Sequence, residues 1–91
     1  MATRFLIEGR VQGVGYRMWC REEAARRGLT GFVRNLSDGR VEALVAGPTA
    51  MVDDFLAVCR KGPPGANVTA IGLEPTQDDP DTDTFLILPT R

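Results

Sequence analysis

The chain has 91 residues, 25% of them charged, and a formal net charge of −1. That size suits one domain able to fold without staples, and the charge gives no global reason to expect nucleic acid or an anionic membrane as partner. Histidine is absent, which removes Ser-His-Asp and Cys-His nucleophilic machinery from consideration.

Thr3–Glu8 alternates as a half-buried strand does, with Phe5 and Ile7 on one face and Arg4, Leu6 and Glu8 on the other. The run Phe5-Leu6-Ile7 is too short for a signal-peptide core or a membrane span, so a cytoplasmic location is expected. Next comes Gly9-Arg10-Val11-Gln12-Gly13-Val14-Gly15-Tyr16-Arg17. Three glycines between a strand and a helix start suit an anion cradle, because glycine lets backbone N–H groups approach a ligand and a helix start adds unpaired donors and partial positive charge. Gly13, Val14, Gly15 and Tyr16 are the candidate phosphate-binding positions, and Arg17 would add a planar, permanently charged fork. Gln12 reads as an exposed loop residue, and Met18 and Trp19 as packing around the helix.

From about Arg17 to Arg27 the composition is helical, with Tyr16, Cys20 and Ala24 spaced by four and Gly28 placed to end the helix. Gly31–Asn35 and Arg40–Ala46 flank Leu36-Ser37-Asp38-Gly39, whose Asp-Gly pair predicts an antiparallel hairpin. Gly47-Pro48 opens a second helix with an apolar stripe of Val52, Phe55 or Leu56, and Cys59, and Pro63-Pro64 bars its continuation. Val68–Leu73 reads as a strand, Glu74–Thr82 as a polar loop and Thr84–Leu88 as a last short strand. Cys20 and Cys59 are expected as reduced thiols on core-facing helix positions, an inter-helix disulfide being the alternative.

The order βαββαβ predicts a single α+β domain over residues 1–91. It has the ferredoxin-like plan of two helices on one face of an antiparallel sheet, with an additional C-terminal strand. In that plan the first and second strands both pair with the third, so they run parallel and their C-terminal ends meet. Arg17, beyond the first strand, and Asn35, ending the second, should then face one small cavity.

The glycine loop lacks the Gly-Lys-Ser/Thr of a P-loop, and Met18 stands where the dinucleotide fingerprint needs its third glycine. Two isolated cysteines lack zinc-ligand spacing, and Asp79–Thr84 fails as a calcium loop, so no metal site is expected and the acidic stretch reads as solvated loop. Arg10, Arg34 and Arg40 read as solvated residues adding at most a local positive field.

Gly9–Arg17, together with Gly31-Phe32-Val33-Arg34-Asn35-Leu36-Ser37-Asp38-Gly39-Arg40-Val41 and Gly47, resembles the two signature segments of the acylphosphatase family in order and spacing. Tyr16 stands where phenylalanine is more usual and Phe32 where tryptophan is common. The resemblance implies hydrolysis of a carboxyl-phosphate anhydride to carboxylate and inorganic phosphate, with no metal or other cofactor. It implies Arg17 as phosphate ligand and Asn35 as holder of the attacking water. The partners it implies are a small acyl phosphate and inorganic phosphate, not nucleic acid or membrane. Such a substrate is already activated, so alignment and charge stabilisation suffice and no strong base is compulsory. The competing expectation is a non-catalytic anion- or RNA-binding module on the same fold, against which stands the lack of a ribonucleoprotein motif. With no heptad or extra apolar helix, a monomer is expected.

Overall fold

The computed structural model describes residues 2–91. Its elements are β1 Ala2–Arg10, α1 Tyr16–Arg26, β2 Thr30–Asn35, β3 Val41–Ala46, α2 Thr49–Lys61, β4 Asn67–Thr76 and β5 Phe85–Ile87. The strands form one sheet in the order β4-β1-β3-β2-β5. The neighbours β4-β1, β1-β3 and β3-β2 are antiparallel, while β5 runs parallel to β2, with Phe32 opposite Leu86 and Val33 opposite Ile87. The ferredoxin-like α+β plan is therefore present, and the additional terminal strand makes the sheet mixed.

Alternation along the strands decides what each face does. Phe5 and Ile7 of β1, Val33 of β2 and Val41, Ala43 and Val45 of β3 point inward against Tyr16, Cys20 and Ala24 of α1 and Phe55 and Cys59 of α2. Phe55 settles the choice left open in the second helix: it is fully buried, its ring 5.8 Å from Phe5 and 6.0 Å from Phe85. Both thiols are free and buried, so the inter-helix disulfide is not formed. Gly28 takes φ +67° just beyond α1, and the N–H groups of Gly28 and Leu29 donate to Ala25 and Ala24 carbonyls, closing the last turn as a left-handed cap.

Two boundaries differ from expectation for physical reasons. β4 continues through Glu74 and Pro75 to Thr76, where a polar loop was expected, because β1 pairs with it as far as Ala2 opposite Thr76. Proline is tolerated there because β4 is an edge strand with one side free of ladder bonds. β3 starts at Val41, since Arg40 is held in the turn by Asp38, which accepts from its backbone N–H at 3.0 Å.

The sheet face away from the helices carries charge. Glu42, only 8% exposed, accepts from Arg34 Nε at 2.6 Å and from Arg4 Nε at 3.1 Å, and Arg4 also reaches Glu74 at 3.4 Å. Arg34 lies 4.9 Å above the Phe32 ring. Arg34 is thus half-buried and paired rather than solvated. Arg40 pairs with Asp38 at 2.8 Å in the exposed turn, its side chain 38% exposed and so solvated as expected.

Candidate active site

Because β3 lies between β1 and β2 and opposes both, the C-terminal ends of β1 and β2 lie at the same edge of the sheet. A cavity of about 330 Å³ opens there, lined by Val11, Gln12, Gly13, Gly15, Tyr16, Arg17, Met18, Asn35 and Ile87. Its volume is at the small end of ligand pockets, about 300–1,000 Å³. Arg17 and Asn35 share it, as do three of the four other expected phosphate-binding positions. Val14 is not among the lining residues.

Gly13 and Gly15 take φ +74° and +77°, and no atom lies within 4 Å of where a Cβ would stand at either. Glycine is needed there for the left-handed backbone rather than for lack of room, and the conformation turns the loop into the helix start. Gly15 is the N-cap of α1, with no side-chain cap and no acidic residue in the first turn. Among the described residues, no protein acceptor takes the N–H groups of Val14, Gly15, Tyr16 or Arg17. A row of unpaired amides at the positive end of a helix is an anion seat when a cation and an open cavity accompany it.

Arg17 supplies the cation. Five arginines are half-buried: Arg4, Arg17, Arg27, Arg34 and Arg40. Four of them pair with carboxylates, Arg27 through Asp54 at 2.7 Å and Glu23 at 3.0 Å, but among the described residues Arg17 has no such partner. A cation at a helix start opposes the helix dipole, and an anion bound between the two would relieve that opposition. Of Arg4, Arg10, Arg17, Arg34 and Arg40, Arg17 alone lines the cavity, while Arg4 and Arg34 meet at Glu42.

Asn35 ends β2 opposite Val41, two residues beyond core-facing Val33 and therefore on the helix-covered face. Its backbone carbonyl accepts from the Arg91 N–H at 3.0 Å. Its side-chain Oδ1 is shielded from bulk solvent without a hydrogen-bond partner. A buried amide oxygen left unpaired costs about 1–3 kcal/mol, and this one belongs to a residue that lines the cavity.

Tyr16 is buried to 1% exposure, its ring 5.5 Å from Trp19, and its hydroxyl donates to the Cys59 carbonyl at 2.7 Å. The hydroxyl that distinguishes it from phenylalanine thus anchors the helix start to α2. Burial, reinforced by the Cys59 and Cys20 thiols, holds its phenol far above the ordinary 10.0. Cys20 is likewise pushed well above 9.0, first by its hydrogen bond with Cys59 and then by burial. Neither group is a base at neutral pH.

Three lining residues differ from expectation. Met18 is 56% exposed on the rim rather than packed. Ile87 enters from β5, a consequence of the parallel β2-β5 pairing. Gln12 is half-buried, not an exposed loop residue, and its Nε2 donates to the carbonyls of Leu36 at 2.8 Å and Arg40 at 2.9 Å. Among the described residues no group of three or more His, Cys, Asp or Glu gathers to hold a metal ion, and no helix is long and apolar enough to cross a membrane.

Comparison with known proteins leads to the same chemistry. The sequence model of the acylphosphatase family matches residues 3–87. An acylphosphatase of Alcanivorax borkumensis is 54% identical over 76 residues, 84% of this chain and 83% of that protein. One of Azorhizobium caulinodans is 56% identical over 66 residues, 72% of this chain and 71% of that protein. The crystal structure of acylphosphatase from Bacillus subtilis superposes with a TM-score of 0.91 at 37% identity, covering 96% of this chain and 97% of that one. With a family match over nearly its whole length and relatives more than half identical over most of it, the chain belongs to the acylphosphatase family of acyl-phosphate hydrolases.

Proposed function

We propose that the chain hydrolyses acyl phosphates without a metal, seating the phosphoryl group on the amides of residues 13–16 and the Arg17 guanidinium while Asn35 holds the attacking water. The observation that carries this is the pairing, in one cavity, of an uncompensated half-buried guanidinium with an unpartnered buried amide oxygen. The guanidinium and the amides draw charge from the phosphoryl oxygens, and this stabilisation grows as the bond to the acyl oxygen lengthens. Asn35 Oδ1 accepts one O–H of the water and so turns its oxygen lone pair toward phosphorus.

The mechanism needs no titrating base from the chain. The carboxylate leaving group departs readily, and a phosphate oxygen of the substrate takes the water's proton as the oxygen–phosphorus bond forms. Carboxylate and inorganic phosphate are the products, so atoms and charge balance. The size of the cavity suits a phosphoryl group with a small acyl group.

The test is phosphate release from benzoyl phosphate with a chelator present. Turnover unchanged by chelator is the expected result, and turnover lost with chelator and restored by a divalent cation would contradict the metal-free reading. RNA retention without phosphate release would favour the binding-module alternative.

A further inference from the structure

Asn35 and the glycine loop belong to different strands, and the reaction proposed above needs them at a constant separation. Local pairing does not provide it, because β1 and β2 are not neighbours: β3 separates them. Beyond the strand ends, Leu36 and Arg40 close the turn of the hairpin, the Leu36 N–H donating to the Arg40 carbonyl at 2.8 Å. Each of those residues also presents its carbonyl to the Gln12 side chain, which donates both bonds from one nitrogen, at 2.8 and 2.9 Å.

Gln12 directly precedes Gly13, and Leu36 directly follows Asn35. The side-chain amide is therefore a strut, one residue from the phosphate seat at one end and one residue from the water holder at the other. We propose that Gln12 is a positioning residue: it sets the distance between the glycine loop and Asn35, and hence between phosphorus and water, its amide nitrogen being committed to the two hairpin carbonyls. This rests on the roles given to Arg17 and Asn35 above.

The strut acts on alignment rather than on binding. Neither Gln12 bond reaches Gly13 or Gly15, whose left-handed backbones form the turn, so the seat for phosphate is expected to persist when the strut is removed. A misplacement of about 1 Å costs on the order of a hundredfold in rate. Gln12→Ala is therefore expected to lower kcat for benzoyl phosphate about tenfold to a hundredfold. Inhibition by inorganic phosphate should move less than about threefold.

Gln12→Glu keeps the shape but sets a carboxylate against two carbonyl oxygens. Its activity should recover as the pH falls below about 5, where a protonated acid regains one donor, a profile the unchanged protein lacks. A kcat for Gln12→Ala within twofold of the parent, or phosphate inhibition weakened as much as kcat, would overturn the proposal.

Nuclear magnetic resonance of the unchanged protein gives a reading that survives any failure of the variants to fold. The Gln12 side-chain amide protons should be protected from exchange, and rapid exchange would also overturn the strut. Failure of the underlying reading is separable, since it would appear as parent-like kinetics in Arg17→Ala and Asn35→Ala. With those two variants impaired and Gln12→Ala unimpaired, only the strut is lost.

Discussion

The open face of the sheet and the glycine-loop cavity both hold half-buried arginines, and they treat them in opposite ways. On the sheet face Glu42 draws Arg4 and Arg34 together and Glu74 joins them, so each of these four charges has a partner on a neighbouring strand. At the cavity Arg17 has no carboxylate partner among the described residues, and the loop amides and Asn35 Oδ1 are unpaired as well. The first region contributes to the fold. The second leaves acceptor and donor groups without protein partners, a pattern common at sites that act on a ligand.

The largest expected effect of breaking this contrast is Arg17→Ala. Loss of two charge-assisted hydrogen bonds, about 1.5–3 kcal/mol each, should lower kcat/KM for benzoyl phosphate by about a hundredfold or more and weaken phosphate inhibition with it. Thermal unfolding of the same variant should show unchanged or slightly higher stability, by up to about 1 kcal/mol, because a cation leaves a helix start. Glu42→Ala should do the reverse. It strands the Arg34 guanidinium and leaves Arg4 only its longer contact to Glu74, so unfolding should show a loss of about 1–3 kcal/mol, reduced toward the lower figure by solvent around Arg4, while kcat/KM stays within about twofold. Parent-like stability of Glu42→Ala together with a destabilised Arg17→Ala would erase the distinction between the two regions.

A smaller effect separates the core behind the loop from both. The Tyr16 phenol and Cys20 thiol have folded-state pKa values raised above 10.0 and 9.0. Groups raised in this way stay protonated in the fold while the unfolded chain ionises. Their contribution is therefore complete below about pH 9 and falls as pH rises beyond it, each by up to about 1.4 kcal/mol per pH unit. Denaturant unfolding between pH 8 and 11 should show that decline, and Tyr16→Phe should make it shallower.

Much of this was legible in the chain. The spacing of Tyr16, Cys20 and Ala24, the Asp38-Gly39 turn and the alternation in β1 are local signals, and strand order alone brings Arg17 and Asn35 to one edge. What was not legible is what depends on partners distant in sequence. Pro75 reads as a loop until β1 is seen to pair with β4 through it. Ile87 reaches the cavity only because β5 joins β2 in parallel. Gln12 looks like a polar loop residue because the carbonyls it serves belong to the far hairpin. Arg34 looks solvated because its carboxylate stands across the ladder on β3.

The most direct test of the central claim is the kinetics of Asn35→Ala with benzoyl phosphate, read beside its inhibition by inorganic phosphate. If the amide oxygen serves the water and the loop serves the phosphate, kcat falls by about a hundredfold or more while the inhibition constant stays within about threefold. An equal loss in both, or retention of kcat, would contradict the division of labour between Arg17 and Asn35.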